Sequence, residues 1–74
     1  MIKLSKDINV KGSIRLDQFL KWANAVSTGG HAKVIILAGD VKVNNSVELR
    51  RGRNLKDGDL VQVGDMIYHV CSSE

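Results

Sequence analysis

Between Ser13 and Thr28 the apolar residues Leu16, Phe19, Leu20 and Ala23 recur at the i, i+3, i+4, i+7 spacing of one helical face. This predicts an amphipathic helix over residues 14–25 with Ser13 as its N-cap. Thr28-Gly29-Gly30 interrupts the pattern. Ala32, Ile35 and Ile36 resume it until Gly39, which is suited to a left-handed C-cap, so a second helix is expected over 30–38. So short a connection obliges the two helices to pack against each other. After Gly39 the period changes to two: Val41 and Val43 flank Lys42, Asn44-Asn45 suits a tight turn, and Val47 and Leu49 follow, giving a β-hairpin. Asp57-Gly58 marks another turn, Leu60, Val61 and Val63 a strand, Gly64-Asp65 a further turn, and Met66 to Val70 a returning strand. Ile2-Lys3-Leu4 and Ile8-Asn9-Val10 are short strand candidates for the same sheet. The expected class is α+β: two packed short helices followed by a small, mostly antiparallel sheet with a β-hairpin, as a single domain over 1–74.

A chain of 74 residues buries only about 60% of its unfolded surface, so the core must be thin. Eleven Lys and Arg against eight Asp and Glu give a net charge of +3, and their distribution is uneven. Residues 10–56 hold nine bases and three acids, a net of +6, whereas residues 57–74 hold four acids and no Lys or Arg, a net of −4. A basic middle implies an anionic partner. Cys71 stands alone, so no internal disulfide and no cysteine-pair metal or redox site is expected, and a reducing cytoplasm fits. With no apolar stretch of signal-peptide or membrane-span length, the expectation is a cytoplasmic monomer with no membrane partner, small-molecule substrate or cofactor.

Three separated blocks carry a resemblance. Arg15-Leu16-Asp17-x-Phe19-Leu20, then Ala32-Lys33-x-Ile35-Ile36-x-x-Gly39-x-Val41-x-Val43-Asn44, then Leu55-x-x-Gly58-Asp59-x-Val61 together resemble the S4 RNA-binding domain over about residues 14–63. Gly29-Gly30-His31-Ala32-Lys33 and Val47-Glu48-Leu49-Arg50-Arg51-Gly52-Arg53 look like its small stand-alone bacterial members. The resemblance implies an alpha-L motif, RNA binding without catalysis, and a ribosomal RNA or ribosomal subunit as partner, in ribosome assembly or repair. Two positions depart from the family pattern: Thr28-Gly29 stands where many members have Ser-Arg, and Asn44-Asn45 where the hairpin commonly has Asn-Gly.

The expected RNA-binding residues are Arg15, Lys33, Lys42, Asn44, Arg50, Arg51 and Arg53. Arginine binds two phosphate oxygens through one planar fork, which makes Arg50-Arg51-x-Arg53 the best local signal, although a solvated charged loop reads the same way. Thr28, Gly29, Gly30 and His31 offer exposed amides and a helix dipole to a phosphate; they equally describe a helix start capped by Thr28. Asn44 is either a contact at the hairpin tip or an ordinary turn residue, and Asp17 is read as orienting Arg15 or stabilising the helix N-terminus rather than as an acid-base group. Of the three aromatics, Phe19 is assigned to the core, Tyr68 to a structural place in the last strand, and Trp22 to packing at the border of the first helix. His31, His69 and Cys71 are isolated in kind, and no nucleophile–base pair, carboxylate pair or metal cluster is visible, so no catalysis is expected. The competing class is a protein-interaction adaptor using the basic face and the acidic C-terminal part, and it predicts an apolar anchor on the surface. DNA binding ranks lower, because a short second helix with Lys33 as its only base is a poor major-groove reader.

Overall fold

Alternating burial begins at the first described strand, where Ile8 and Val10 are buried and Asp7, Asn9 and Lys11 face water. The computed structural model describes residues 4–73, so Ile2 and Lys3 lie outside the described residues. Along the chain come β1 (Leu4–Lys11), β2 (Ile14–Arg15), α1 (Leu16–Trp22), α2 (Gly29–Leu37), β3 (Val41–Val43), β4 (Ser46–Val47), β5 (Asn54–Leu55), β6 (Leu60–Val63) and β7 (Met66–Ser73). The five-stranded sheet runs β1-β7-β6-β3-β4, and β2 pairs with β5 in a separate two-stranded ladder. Only the β1–β7 pair is parallel, so the sheet is mostly antiparallel. It begins before the helices rather than after them, because β1 belongs to it.

The first helix is shorter than expected at both ends. Ile14 and Arg15 are extended and pair with Leu55 and Asn54, so Arg15 is the N-cap in place of Ser13, and no side chain caps the helix. Carbonyl groups of the 51–53 loop take that role: the amides of Leu16 and Asp17 donate to Arg53 O at 2.8 Å and Arg51 O at 3.1 Å. These amides would otherwise be unpaired in the first turn. At the other end Asn24 takes φ 61°, its amide donates to Lys21 O, and the Ala25 amide donates to Leu20 O at 2.9 Å. That pairing terminates a helix by satisfying its last carbonyls.

The second helix starts where Thr28 Oγ1 accepts from the His31 amide at 3.1 Å, and it stops at Gly39, whose φ of 83° admits the same C-terminal pairing. Asn44 and Asn45 both take positive φ, 52° and 72°, and make the two-residue hairpin turn whose twist matches the flanking strands. The hairpin's second strand ends at Val47; Leu49, expected within it, lies exposed in the loop toward Gly52.

The core lies between one face of the sheet and the helices. Ile8, Val10, Val41, Val43, Val61, Tyr68 and Val70 meet Leu16, Phe19, Leu20, Ala23, Val26, Ala32 and Ile36. Phe19, fully buried, meets the Tyr68 ring edge-on at 6.2 Å between centroids, an arrangement that matches aromatic quadrupoles. Trp22 departs from its expected packing: it is 63% exposed, with Nε1 donating to Asn9 O at 2.8 Å.

Candidate nucleic-acid interface

The β2–β5 ladder and the two amide bonds from Leu16 and Asp17 fasten the 50–53 loop across the start of α1. Arg15 and the cluster Arg50, Arg51 and Arg53, thirty-five residues apart or more in sequence, thereby become neighbours. Gly52 measures the approach: a Cβ built on it would meet Arg15 Nε and Nη2 at 3.9 Å, so the guanidinium lies over the glycine backbone.

Two carboxylates orient these arginines. Asp17 Oδ2 accepts from Arg15 Nη2 at 3.0 Å, and its Oδ1 accepts from the Gln18 amide at 2.8 Å, the role expected of Asp17. Glu48, only 8% exposed at its side chain, accepts from Arg50 Nε at 3.1 Å, Arg53 Nη1 at 2.8 Å and the Arg50 amide at 3.1 Å. The Arg50 guanidinium, followed by that of Arg53, holds the Glu48 carboxyl at about 2, below the usual 4.5, against the opposing push of burial. Each arginine keeps further N–H groups for a ligand, since a guanidinium carries five. Arg51 forms no ion pair among the described residues. The sequence pattern assigns Glu48 no role of its own; its signal is an acid within five residues of both arginines in an otherwise basic stretch.

The other expected residues are placed separately. Lys33 is exposed on α2, one turn past the exposed Thr28, Gly29, Gly30 and His31, where Thr28 does serve as the N-cap. Lys42 alternates with buried Val41 and Val43, so it points from the outer face of the sheet, away from the core. No hydrogen bond or ion pair among the described residues joins Lys33 or Lys42 to the arginines. Asn44 is engaged at both ends of its amide: Nδ2 donates to Asp59 Oδ1 at 3.1 Å, and Oδ1 accepts from the Leu60 amide at 2.9 Å. Asp59, buried, also accepts from the Lys56 amide at 3.0 Å, so the Asp57-Gly58 turn and the hairpin tip are locked together.

At the α1 start the four arginines Arg15, Arg50, Arg51 and Arg53 stand against the two carboxylates Asp17 and Glu48, a local excess of two positive charges. Such an excess suits a phosphate backbone. Catalytic chemistry finds less support: burial pushes the Cys71 thiol up, and Asp7 and Asp57 push it the same way, the reverse of what activates a cysteine nucleophile. No helix among the described residues is long and apolar enough to cross a membrane.

A curated protein of Bacillus subtilis (strain 168) named "Probable ribosome maturation protein RlbA" is 44% identical over 50 residues, covering 68% of this chain and 70% of that one. The profile of the S4 domain matches residues 7–71, wider than the 14–63 read from motifs alone and extending into β1 and β7. With that match spanning most of its length, the chain belongs to the S4 domain family.

Proposed function

We propose that the chain is a non-catalytic RNA-binding protein whose α1 start and 50–53 loop grip structured RNA, with ribosomal RNA in a maturing subunit as the target. In this reading α1, α2 and the hairpin form an alpha-L motif, and residues 1–74 act as one cytoplasmic, monomeric domain. The observation that carries it is the convergence of Arg15, Arg50, Arg51 and Arg53 at one helix start, with three of the four side chains pre-oriented by Asp17 or Glu48. Pre-orientation reduces the entropy lost when a guanidinium engages a phosphate. Lys33, together with the Thr28–His31 helix start, and Lys42 extend the contact to phosphates further along the RNA, while Asn44 fixes the hairpin tip that carries Lys42. The RlbA relative's name supports the ribosomal part of the reading.

The test is binding of the purified chain to ribosomal RNA, to ribosomal subunits and to a length-matched DNA duplex across a salt series, with Arg50, Arg51 and Arg53 changed together to Ala. Steeply salt-dependent binding to RNA or to one subunit, weakened by the triple change, is the expected result. Equal affinity for DNA, or no effect of the triple change, rejects the assignment.

A second reading has its own observation. Val34 and Leu37 are 63% and 58% exposed on α2, and Trp22 is equally open, so the surface does hold the apolar anchors a protein partner needs. An adaptor role predicts that Val34→Asp with Leu37→Asp abolishes subunit association while leaving binding to naked RNA intact.

A further inference from the structure

The outer face of the β1–β7 pair gathers donors that the sequence scatters. Parallel register sets Asp7 opposite His69, and Cys71 follows two residues later along β7, on the same face as His69 because Tyr68 and Val70 turn into the core. Asp7 Oδ1 lies 3.3 Å from His69 Nδ1, and Cys71 Sγ lies 3.9 Å from the same nitrogen. All three donor atoms fall within 4.8 Å of one another.

Those separations have a chemical meaning. Zinc bonds of about 2.0–2.1 Å to nitrogen or oxygen and about 2.3 Å to sulfur, at tetrahedral angles, place N and O about 3.4 Å apart and N and S about 3.6 Å apart. The His69–Asp7 and His69–Cys71 separations therefore already stand within a few tenths of an ångström of tetrahedral values. The Asp7 oxygen and the Cys71 sulfur, within 4.8 Å of each other, close on the ion by side-chain rotation on two strands whose pairing fixes their backbones. A His69–Asp7 ion pair accounts for the carboxylate, and the Cys71 thiol donates to the His69 carbonyl at 3.7 Å while its sulfur stays beside the ring nitrogen, so all three donors are held together on one face. On the β7 side residues 57–74 contain no Lys or Arg, and the Asp57 carboxylate sits one residue along, accepting from the Ser72 amide at 2.9 Å; β1 contributes Lys6 and Lys11, neither of which forms an ion pair with Asp7 among the described residues.

We propose that Asp7, His69 and Cys71 form a site for a borderline-soft divalent transition-metal ion, typified by Zn2+, with solvent in the remaining position. Thiolate and imidazole select zinc-like ions over Mg2+ and Ca2+, which prefer oxygen ligands. On binding, the thiol proton passes to solvent, and the neutral imidazole carries its proton on Nε2, leaving the Nδ1 lone pair for the metal. The ion ties the first described strand to the last and stabilises the parallel edge of the sheet. None of the three donors belongs to the arginine cluster, so this site stands or falls independently of RNA binding.

The experiment titrates the chelator-stripped full chain with Zn2+ against a chromophoric chelator, and with Co2+ as the spectroscopic probe. One ion per chain is expected, together with a thiolate-to-cobalt charge-transfer band and a metal-dependent rise in melting temperature. Cys71→Ser abolishes the band and the thermal rise and weakens Zn2+ at least tenfold; His69→Gln does the same for affinity, and Asp7→Asn weakens it several-fold, with folding of each variant checked by circular dichroism. Absence of the charge-transfer band at one equivalent, unchanged Zn2+ affinity in Cys71→Ser, or one ion shared by two chains each overturns the proposal.

Discussion

A carboxylate that accepts from two guanidinium groups and a backbone amide, as Glu48 does, constrains all three of its donors at once. Because its side chain is nearly buried, a neutral replacement leaves the arginines without their partner and the loop without its anchor. Glu48→Gln is expected to lower stability by about 1–3 kcal/mol, measured by urea denaturation at neutral pH. The carboxyl is held at about 2, below its ordinary 4.5. A group depressed in this way contributes stability that is fully present above the ordinary value and is lost as pH falls towards 2. The wild-type chain should therefore lose stability between pH 4.5 and 2 more steeply than Glu48→Gln. Equal acid slopes in the two proteins would show that the carboxylate does not hold the loop.

At the scale of elements, the hairpin turn and the helix pair are the informative cases. Asn45 sits at φ 72° in a turn where glycine carries no Cβ penalty, so Asn45→Gly should raise stability by about 0.5–1 kcal/mol and Asn45→Ala should lower it by a similar amount. For a chain of this size 1 kcal/mol shifts the melting temperature by roughly 4–8 °C, which differential scanning calorimetry resolves. Phe19 joins α1 to the sheet through Tyr68 and is wholly buried. Phe19→Ala should cost about 3–5 kcal/mol, enough to unfold much of the population, as near-ultraviolet circular dichroism would show.

For the molecule as a whole, charge distribution governs the partner. The basic middle folds so that four arginines meet at one helix start, while Asp57, Asp59 and Asp65 lie in the connections that flank the last two strands. Each phosphate neutralised contributes roughly −0.7 to the salt slope on single strands, so the Arg50, Arg51 and Arg53 triple change should reduce the magnitude of that slope by about 2. A loss of affinity with an unchanged slope would mean that the arginines act through folding and not through phosphate contact.

Period and turn chemistry are local properties, and the sequence determined what depends on them. The helical stripe Leu16, Phe19, Leu20 and Ala23, the Gly39 stop, the Asn44-Asn45 turn and the period-two strands could be read directly because each is set within a few residues by sterics and hydrophobic burial. Tertiary structure decided where the first helix begins, since its amides are satisfied by carbonyls more than thirty residues away, beyond the reach of any capping pattern. It also decided that Trp22 stands open and that Asn44 is spent on Asp59. The gathering of Arg15 with the 50–53 loop and of Asp7 with His69 and Cys71 likewise depends on strand register. Register is a long-range choice made by the whole core, so residues distant in the chain become one surface only after the sheet has paired.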